Sequence, residues 1–171
     1  MILTGKAIAE AVEAGEITIS PFDPARLNPN SYNYSLGAEI RFTPRETLDA
    51  KTNAPWPETT IPEEGFLLLP GRLYLATTAE VIGSTAFVTS LIGRSSLGRL
   101  GLFVQVTADL GHQGAVHRWT LELAVVQPLR VYAGMRLGQV SFWRSRGAVT
   151  AYGGAYGDAM APMPALPTSL T

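Results

Sequence analysis

One segment concentrates residue types that bind anions. Residues 93–101 are GRSSLGRLG, with two arginines, two adjacent serines and three glycines. Glycines let a backbone approach a ligand closely, and serines are suited to begin a helical turn whose free N–H groups attract anions. Arg94 and Arg99 add positive charge suited to a phosphate or a carboxylate. The pattern favours an anion-binding loop, with a basic surface turn as the alternative.

A second segment places a carboxylate on a strand. In WTLELAV, residues 119–125, bulky apolar residues alternate with Thr120 and Glu122, which are therefore expected on the same face. Ala124 and Val126 follow on that face, so we expect it to be partly buried. A carboxylate in such surroundings needs a partner or a chemical role. A solvated surface glutamate is the alternative.

Metal chemistry has few candidate ligands in this sequence. The chain contains no cysteine, which excludes disulfides, thiolate nucleophiles and every zinc site that needs sulfur. His112 and His117 are the only histidines, and no third nitrogen or sulfur ligand lies near them in the sequence. We interpret them as a loop pair without a metal role, and expect neither zinc nor another protein-bound metal.

Composition and charge narrow the class of protein. The 171 residues are 46% hydrophobic, and 13 basic against 14 acidic side chains give a net charge of −1. With acidic and basic side chains so nearly equal in number, the protein has no overall positive potential that would attract a nucleic-acid backbone. The N-terminus lacks the pattern of a signal peptide, and no apolar run approaches 18 residues. We therefore expect a cytoplasmic protein with neither a nucleic-acid nor a membrane partner.

Short apolar runs indicate a mainly β protein. A helix is predicted from Thr4 to Ala14, after which helical periodicity almost disappears. Residues 28–37 are rich in turn formers, residues 44–64 resemble a long surface excursion, and residues 151–171 form a tail that either closes over a site or is disordered. We predict one domain over residues 1–150, built as a barrel or packed sandwich. The predicted strands are 38–42, 66–69, 73–76, 86–92, 102–106, 119–126, 129–132 and 137–142.

Several motifs together resemble the dCTP deaminase family of the trimeric dUTPase-like superfamily. They are NPNSYNYSLG at 28–37, GRSSLGRLGLFVQVTA at 93–108, WTLEL at 119–123 and VYAGMRLGQVSF at 131–142. Arg99 and Glu122 are 23 positions apart, as are the catalytic pair of the family. The resemblance implies a distorted, jelly-roll-like β-barrel of the dUTPase type with a short N-terminal helix. It also implies a homotrimer whose active sites are shared between subunits.

The same resemblance implies a metal-independent deamination, in which dCTP, or a related cytosine nucleotide, is converted to dUTP and ammonia. One glutamate makes both proton transfers, and Glu122 occupies its position. Arg99 would favour the ionised form of Glu122, since a nearby guanidinium opposes the effect of burial. Ser95 would join this hydrogen-bond network, and the carbonyl of Ala108 would hold the attacking water.

Substrate contacts are implied at further positions. Magnesium would be bound through the phosphates of the substrate, not by the protein. The implied contacts are Arg94, Ser95 and Ser96 at the phosphates, Arg99 beside Glu122, Thr120, Leu121 and Glu122 at the base, His112 at the sugar, and Tyr152 closing over the nucleotide.

The sequence departs from the family pattern where the substrate is recognised. His112 stands where the family has an aspartate that binds the deoxyribose hydroxyl, so an acceptor has become an imidazole. In the tail, Ala155 and Ala159 replace a lysine and a glutamine that serve the phosphates, and Asp158 adds negative charge. Weaker triphosphate binding is expected.

Two other functions remain open from the sequence. A dUTP pyrophosphatase of the same fold is disfavoured, because His112 replaces the best candidate for its water-activating aspartate. A catalytically silent nucleotide sensor is disfavoured because Ser95, Arg99 and Glu122 are all present.

Overall fold

Short β-strands make up most of the computed structural model, which describes residues 1–44, 47–52, 55–104 and 108–166. The helices are α1 (Gly5–Glu13) and α2 (Ser95–Gly98), with a 3-10 turn at Pro24–Arg26. The strands are β1 (Ile17–Ser20), β2 (Leu27–Asn28), β3 (Ser31–Phe42), β4 (Glu58–Thr60), β5 (Phe66–Leu68), β6 (Tyr74–Thr78), β7 (Val81–Ser84), β8 (Val88–Gly93), β9 (Leu102–Val104), β10 (Leu110–Gly111), β11 (Val116–His117), β12 (Thr120–Val125), β13 (Leu129–Val131) and β14 (Arg136–Trp143). The predicted mainly β class is confirmed.

Helix α1 forms where the sequence predicts it. The Thr4 side chain caps the helix by accepting a hydrogen bond from the Ala7 N–H at 3.3 Å. Ile8 and Ala11, one turn apart, are buried against the sheet. No helix among the described residues is long and apolar enough to cross a bilayer.

Strand β3 begins seven residues earlier than predicted. Residues 28–37 have a composition typical of turns, yet they also contain the alternating apolar residues of a strand. Tyr32, Tyr34 and Leu36 are fully buried. The polar side chain of Asn33 is accommodated because its amide donates to the carbonyl of Arg26 at 3.0 Å and to Asn28 Oδ1 at 3.2 Å. Side-chain hydrogen bonds thus allow a strand where local propensity predicts turns.

The main sheet curls because β3 changes partners along its length. Its first half pairs with β14 and its second half with β6. The strand order is β10-β8-β14-β3-β6-β12-β9, with β2 and β4 also paired to β3. This curled sheet has the jelly-roll-like character that the sequence predicts.

Two smaller sheets complete the fold. Strands β1, β7 and β11 form one, and β13 pairs with β5 in the other. The predicted excursion at 44–64 contributes β4 to the main sheet. The predicted strand 102–106 extends beyond β9, but residues 105–107 lie outside the described ranges, as do residues 167–171 of the predicted tail.

Candidate active site

Strand β12 positions the candidate carboxylate. Its side chains alternate between buried and half-exposed, so Leu121, Leu123 and Val125 enter the core while Thr120 and Glu122 share the opposite face. Glu122 pairs in register with Leu75 of β6. The predicted distribution of side chains is observed, with one consequence for Leu121. The whole residue is 0% exposed, so within the single chain Leu121 offers no surface for the base contact that the family resemblance implies.

A cavity of about 600 Å³ lies in front of Glu122. Thr120, Ala108, His112 and Tyr152 also line it, so the structure brings these predicted site residues together. The walls are largely aromatic and aliphatic, with contributions from Leu73, Leu75, Leu110 and Trp119. A concave apolar site with a few polar groups is typical of small-molecule binding.

The tail lies against this cavity at three points. The ring of Tyr152 stacks on His112 with centroids 5.3 Å apart, and its N–H donates to the carbonyl of Gln113 at 2.9 Å. The Arg118 N–H donates to the carbonyl of Ala159 at 3.0 Å. The Met163 N–H donates to Thr120 Oγ1 at 3.1 Å, so Thr120 already serves the tail as an acceptor, although its own O–H can still donate to a ligand.

Sequence reasoning missed several parts of the cavity wall. Leu48 and Trp56 reach it from the excursion at 44–64, and Tyr156 and Met163 from the tail. Trp56 lies between two prolines, at Pro55 and Pro57, and such an aromatic residue in an otherwise polar stretch is the one signal that could have indicated it. The walls depend on tertiary contacts that no local pattern encodes.

His117 also lines the cavity, although the sequence analysis gave it no role. The side chain is buried, and its Nδ1 lies 2.9 Å from the carbonyl oxygen of Arg118. Burial lowers the pKa of His117 below its ordinary value, opposed by the hydrogen bond to Arg118 and by the nearby charge of Asp158. The neutral imidazole is therefore favoured.

The 93–101 segment lies elsewhere on the chain. Arg94, Ser95, Ser96 and Arg99 form and flank α2, and none of them lines the cavity of Glu122. Leu102 pairs with Val125, so Arg99 lies beyond the end of β12 that is remote from Glu122. The strand alone separates Val125 from Glu122 by about 10 Å. Within one chain the structure does not bring the predicted catalytic pair together.

The described residues offer little to a metal ion. Within the described ranges, no three His, Cys, Asp or Glu side chains are grouped so that they could hold one. Among the residues that the structure describes, the donor set therefore does not fit a resident magnesium ion.

Comparison with known proteins identifies the family of this chain. A family model described as dCTP deaminase-like matches residues 2–145. The chain belongs to the dCTP deaminase-like family. It is 44% identical over 152 residues to a protein of Clostridium beijerinckii named "dCTP deaminase, dUMP-forming", an alignment that covers 89% of this chain and 87% of that protein.

Other members of the dCTP deaminase-like family agree with this assignment. A protein of Rhodopirellula baltica named "dCTP deaminase" is 44% identical over 147 residues, which are 86% of this chain and 74% of that protein. The crystal structure of 2′-deoxycytidine 5′-triphosphate deaminase from Agrobacterium tumefaciens matches with a TM-score of 0.67 at 21% identity, covering 84% of this chain and 48% of that chain. The structural likeness concerns the fold.

These relatives alter one expectation. The family resemblance implied dUTP as the product, which is wrong for the relatives named dUMP-forming, such as those of Clostridium beijerinckii and Leptospira biflexa.

Proposed function

We propose that the protein removes the C4 amine of dCTP by hydrolysis and releases dUMP as the final pyrimidine product. The observation that carries the proposal is Glu122, a carboxylate on a half-buried strand face at the wall of an apolar cavity. Relatives 44% identical to the chain are named for this substrate and product.

Glu122 would transfer protons in both directions. Its carboxylate accepts a proton from a water molecule as the water oxygen bonds to C4 of the base and the electron pair of the C4=N3 double bond moves to N3. The protonated Glu122 then donates to the amine as the C4–N bond breaks and ammonia leaves. The second proton of the water passes from the C4 oxygen to N3, which gives uracil. A single positioned carboxylate thus acts first as general base and then as general acid. The carbonyl of Ala108 and the hydroxyl of Thr120, both at the cavity, would orient the water and the base.

The phosphates need cations that the cavity does not supply. Among the described residues that line it, none is an arginine or a lysine. We propose that the 93–101 segment of a second subunit supplies Arg94, Ser95, Ser96 and Arg99 at the cavity mouth. This arrangement would bring Arg99 to Glu122 across a subunit boundary, as the family resemblance implies. Magnesium would be bound only through the phosphates.

An exposed apolar patch next to α2 supports such an assembly. Its members are 47% to 65% exposed, which is unusual for large apolar side chains grouped near one another. They are Ile92, Leu100, Phe103 and Val126. Strands β9 and β12 place Phe103 and Val126 at neighbouring positions, close to Arg99. A trimer that buries this patch would also move the 93–101 segment against a neighbour.

Formation of dUMP requires a second hydrolysis, in which water attacks the α-phosphate and pyrophosphate leaves. His112 was the reason to disfavour this chemistry, and the names of the relatives favour it. An imidazole nitrogen can accept a proton from water as a carboxylate does, so the loss of an aspartate at this position does not exclude the step.

Separate measurement of ammonia and pyrophosphate tests the proposal. The purified protein should release both from dCTP, in equal amounts, and leave dUMP. Ammonia without pyrophosphate would indicate a dUTP-forming enzyme, and pyrophosphate from dUTP alone would indicate a pyrophosphatase. Release of neither from dCTP, dCMP, CTP or dUTP would reject the enzymatic function.

Substitution of Glu122 by glutamine tests its role. Glu122→Gln keeps the shape of the side chain but cannot accept the proton, so ammonia release should fall by at least about a thousandfold while dCTP still binds. Glu39→Gln is the matched control, because Glu39 is an exposed glutamate on β3 that does not line the cavity. Comparable turnover in the two variants would reject the assignment.

A further inference from the structure

The imidazole of His117 is held in one place at the cavity wall. The residue ends β11, where it pairs with Ile82, and is only 4% exposed. Its ring packs on Trp119 with centroids 4.2 Å apart, and Trp119 is itself fixed by a hydrogen bond from Nε1 to the carbonyl of Ile82 at 2.9 Å. The ring therefore has little freedom to turn.

The hydrogen bond to Arg118 determines which ring nitrogen carries the proton. A carbonyl oxygen only accepts, so Nδ1, at 2.9 Å from the Arg118 carbonyl, must be the donor. In the neutral ring Nε2 is then an acceptor. Among the described residues, none bonds to Nε2, and this atom is not one of the enclosed polar atoms without a partner. Nε2 is therefore not fully enclosed, and the cavity is the space that His117 lines.

The position of His117 indicates which part of a nucleotide it faces. Thr120 and Glu122 on β12 mark the place where the base reacts, and because none of the described lining residues is an arginine or a lysine, we expect the phosphates towards the opening of the cavity. The sugar lies between the base and the phosphates. His117 lies on β11, which belongs to a different sheet from the β12 strand that carries Glu122, and both residues line the cavity. In the proposed reaction the amine of the base is engaged by Glu122, so it is not the group that His117 binds. The donors that a nucleotide offers between its base and its phosphates are the hydroxyl groups of the sugar.

We propose that His117 determines sugar specificity by accepting, at Nε2, a hydrogen bond from a sugar hydroxyl of the bound nucleotide. The proposal rests on the proposed function, since it requires a nucleotide in the cavity. A buried acceptor that has lost water and finds no donor on the ligand costs binding free energy. A ligand with a hydroxyl at that position is therefore preferred over one without it.

Comparison of sugars in two variants tests the proposal. Wild-type protein should use dCTP about tenfold better in kcat/KM than 2′,3′-dideoxy-CTP, which lacks the 3′-hydroxyl. His117→Phe keeps a ring but no acceptor, so this ratio should fall below about twofold, and His117→Gln should restore part of it. A folded His117→Phe variant with the wild-type ratio would overturn the proposal.

A second measurement uses the unaltered protein. Because the chain has only two histidines, the imidazole ¹⁵N spectrum is simple, and a His112→Gln sample assigns it. Saturating dUMP, which carries the sugar and is not consumed, should shift the unprotonated nitrogen of His117. The 2′,3′-dideoxy analogue should bind without that shift. Equal shifts, or none with dUMP bound, would contradict the role of His117, whereas failure of either nucleotide to bind and of dCTP to be deaminated would reject the proposed function.

Discussion

His112 stacks on Tyr152, with the two rings 5.3 Å apart and inclined by 18°. The contact joins the loop between β10 and β11 to the start of the tail, and the Tyr152 N–H reinforces it by donating to the Gln113 carbonyl at 2.9 Å. Since His112 and Tyr152 both line the cavity of Glu122, the stack couples the position of the tail to that cavity.

Loss of the stack between His112 and Tyr152 should raise KM for the substrate more than it lowers kcat. Tyr152→Ala removes a ring pair worth about 1 kcal/mol, so KM for dCTP should rise about fivefold with kcat little changed. Tyr152→Phe keeps the ring and should stay near wild type. Limited proteolysis in the absence of nucleotide shows which of two effects Tyr152→Ala has. If the variant releases the tail from the cavity, the tail is cleaved faster, whereas loss of a direct contact with the ligand leaves cleavage unchanged. Unchanged proteolysis would show that the stack does not hold the tail.

The hydrogen bond from Met163 to Thr120 predicts a local effect in the tail. Thr120→Val keeps the branched shape but removes the acceptor that lies 3.1 Å from the Met163 N–H. Loss of about 1 kcal/mol should speed hydrogen exchange of the Met163 amide roughly fivefold. Thr120→Ser retains the hydroxyl and serves as the control. Identical exchange in the two variants would mean that the bond does not anchor the tail.

The sequence predicted the elements that local chemistry determines. Thr4 and the stripe of Ile8 and Ala11 specify α1, and the alternation of residues 120–125 specifies a strand with Glu122 on its open face. It failed at β3, where Asn33 is satisfied by partners at positions 26 and 28. Such satisfaction depends on how distant backbone segments meet, so composition alone predicts turns.

The candidate site was predictable only in part, for a related reason. Family motifs located Glu122, Thr120 and His112, which the structure brings to one cavity. Trp56 and Met163 reach the cavity through the path of an excursion and a tail, and neither has periodicity to analyse. Conversely, the motif containing Arg99 is strong in sequence, yet a single chain does not place it beside Glu122.

A buried ion pair should dominate the electrostatic contribution to stability. Glu80 is 1% exposed, and its carboxylate accepts hydrogen bonds from Arg26 Nη1 at 2.5 Å and from the Ser35 N–H at 2.9 Å. Arg26 also donates to the Ser35 hydroxyl. Glu80→Gln leaves Arg26 with only the half-exposed Asp23, 3.4 Å from its Nε, as a counter-ion, so the free energy of unfolding measured in urea should fall by about 2 kcal/mol. Glu10→Gln breaks the exposed pair with Lys6 and should have no measurable effect. Equal effects would contradict this difference.

Acidification should destabilise the protein partly through His117. Its pKa is lowered in the fold by burial, so between the ordinary value of about 6.5 and the lower folded value the unfolded chain binds the extra proton. The contribution of His117 to the free energy of unfolding is therefore fully present above about pH 6.5 and is lost as the pH falls through that window. His117→Phe removes this component, so the unfolding free energy of the variant should change less with pH below about pH 6.5. Parallel pH profiles of the two proteins would contradict the shift.

Mixing two inactive variants tests whether the site is shared between subunits. Glu122→Gln should lack the proton-transfer group and Arg99→Gln the partner that the neighbour supplies, so each alone should release almost no ammonia. If Glu122 and Arg99 of one site come from different chains, an equal mixture that exchanges subunits in a closed symmetric oligomer should recover about a quarter of wild-type activity. That fraction follows because half of the chains carry an intact Glu122 and half of their neighbours an intact Arg99. Subunits are exchanged by unfolding and refolding the two variants together. Glu122→Gln treated in the same way on its own is the control. No recovery in a mixture that has formed mixed oligomers would mean that each chain must build its site alone, and the separation of α2 from the Glu122 cavity would then have to close within one subunit.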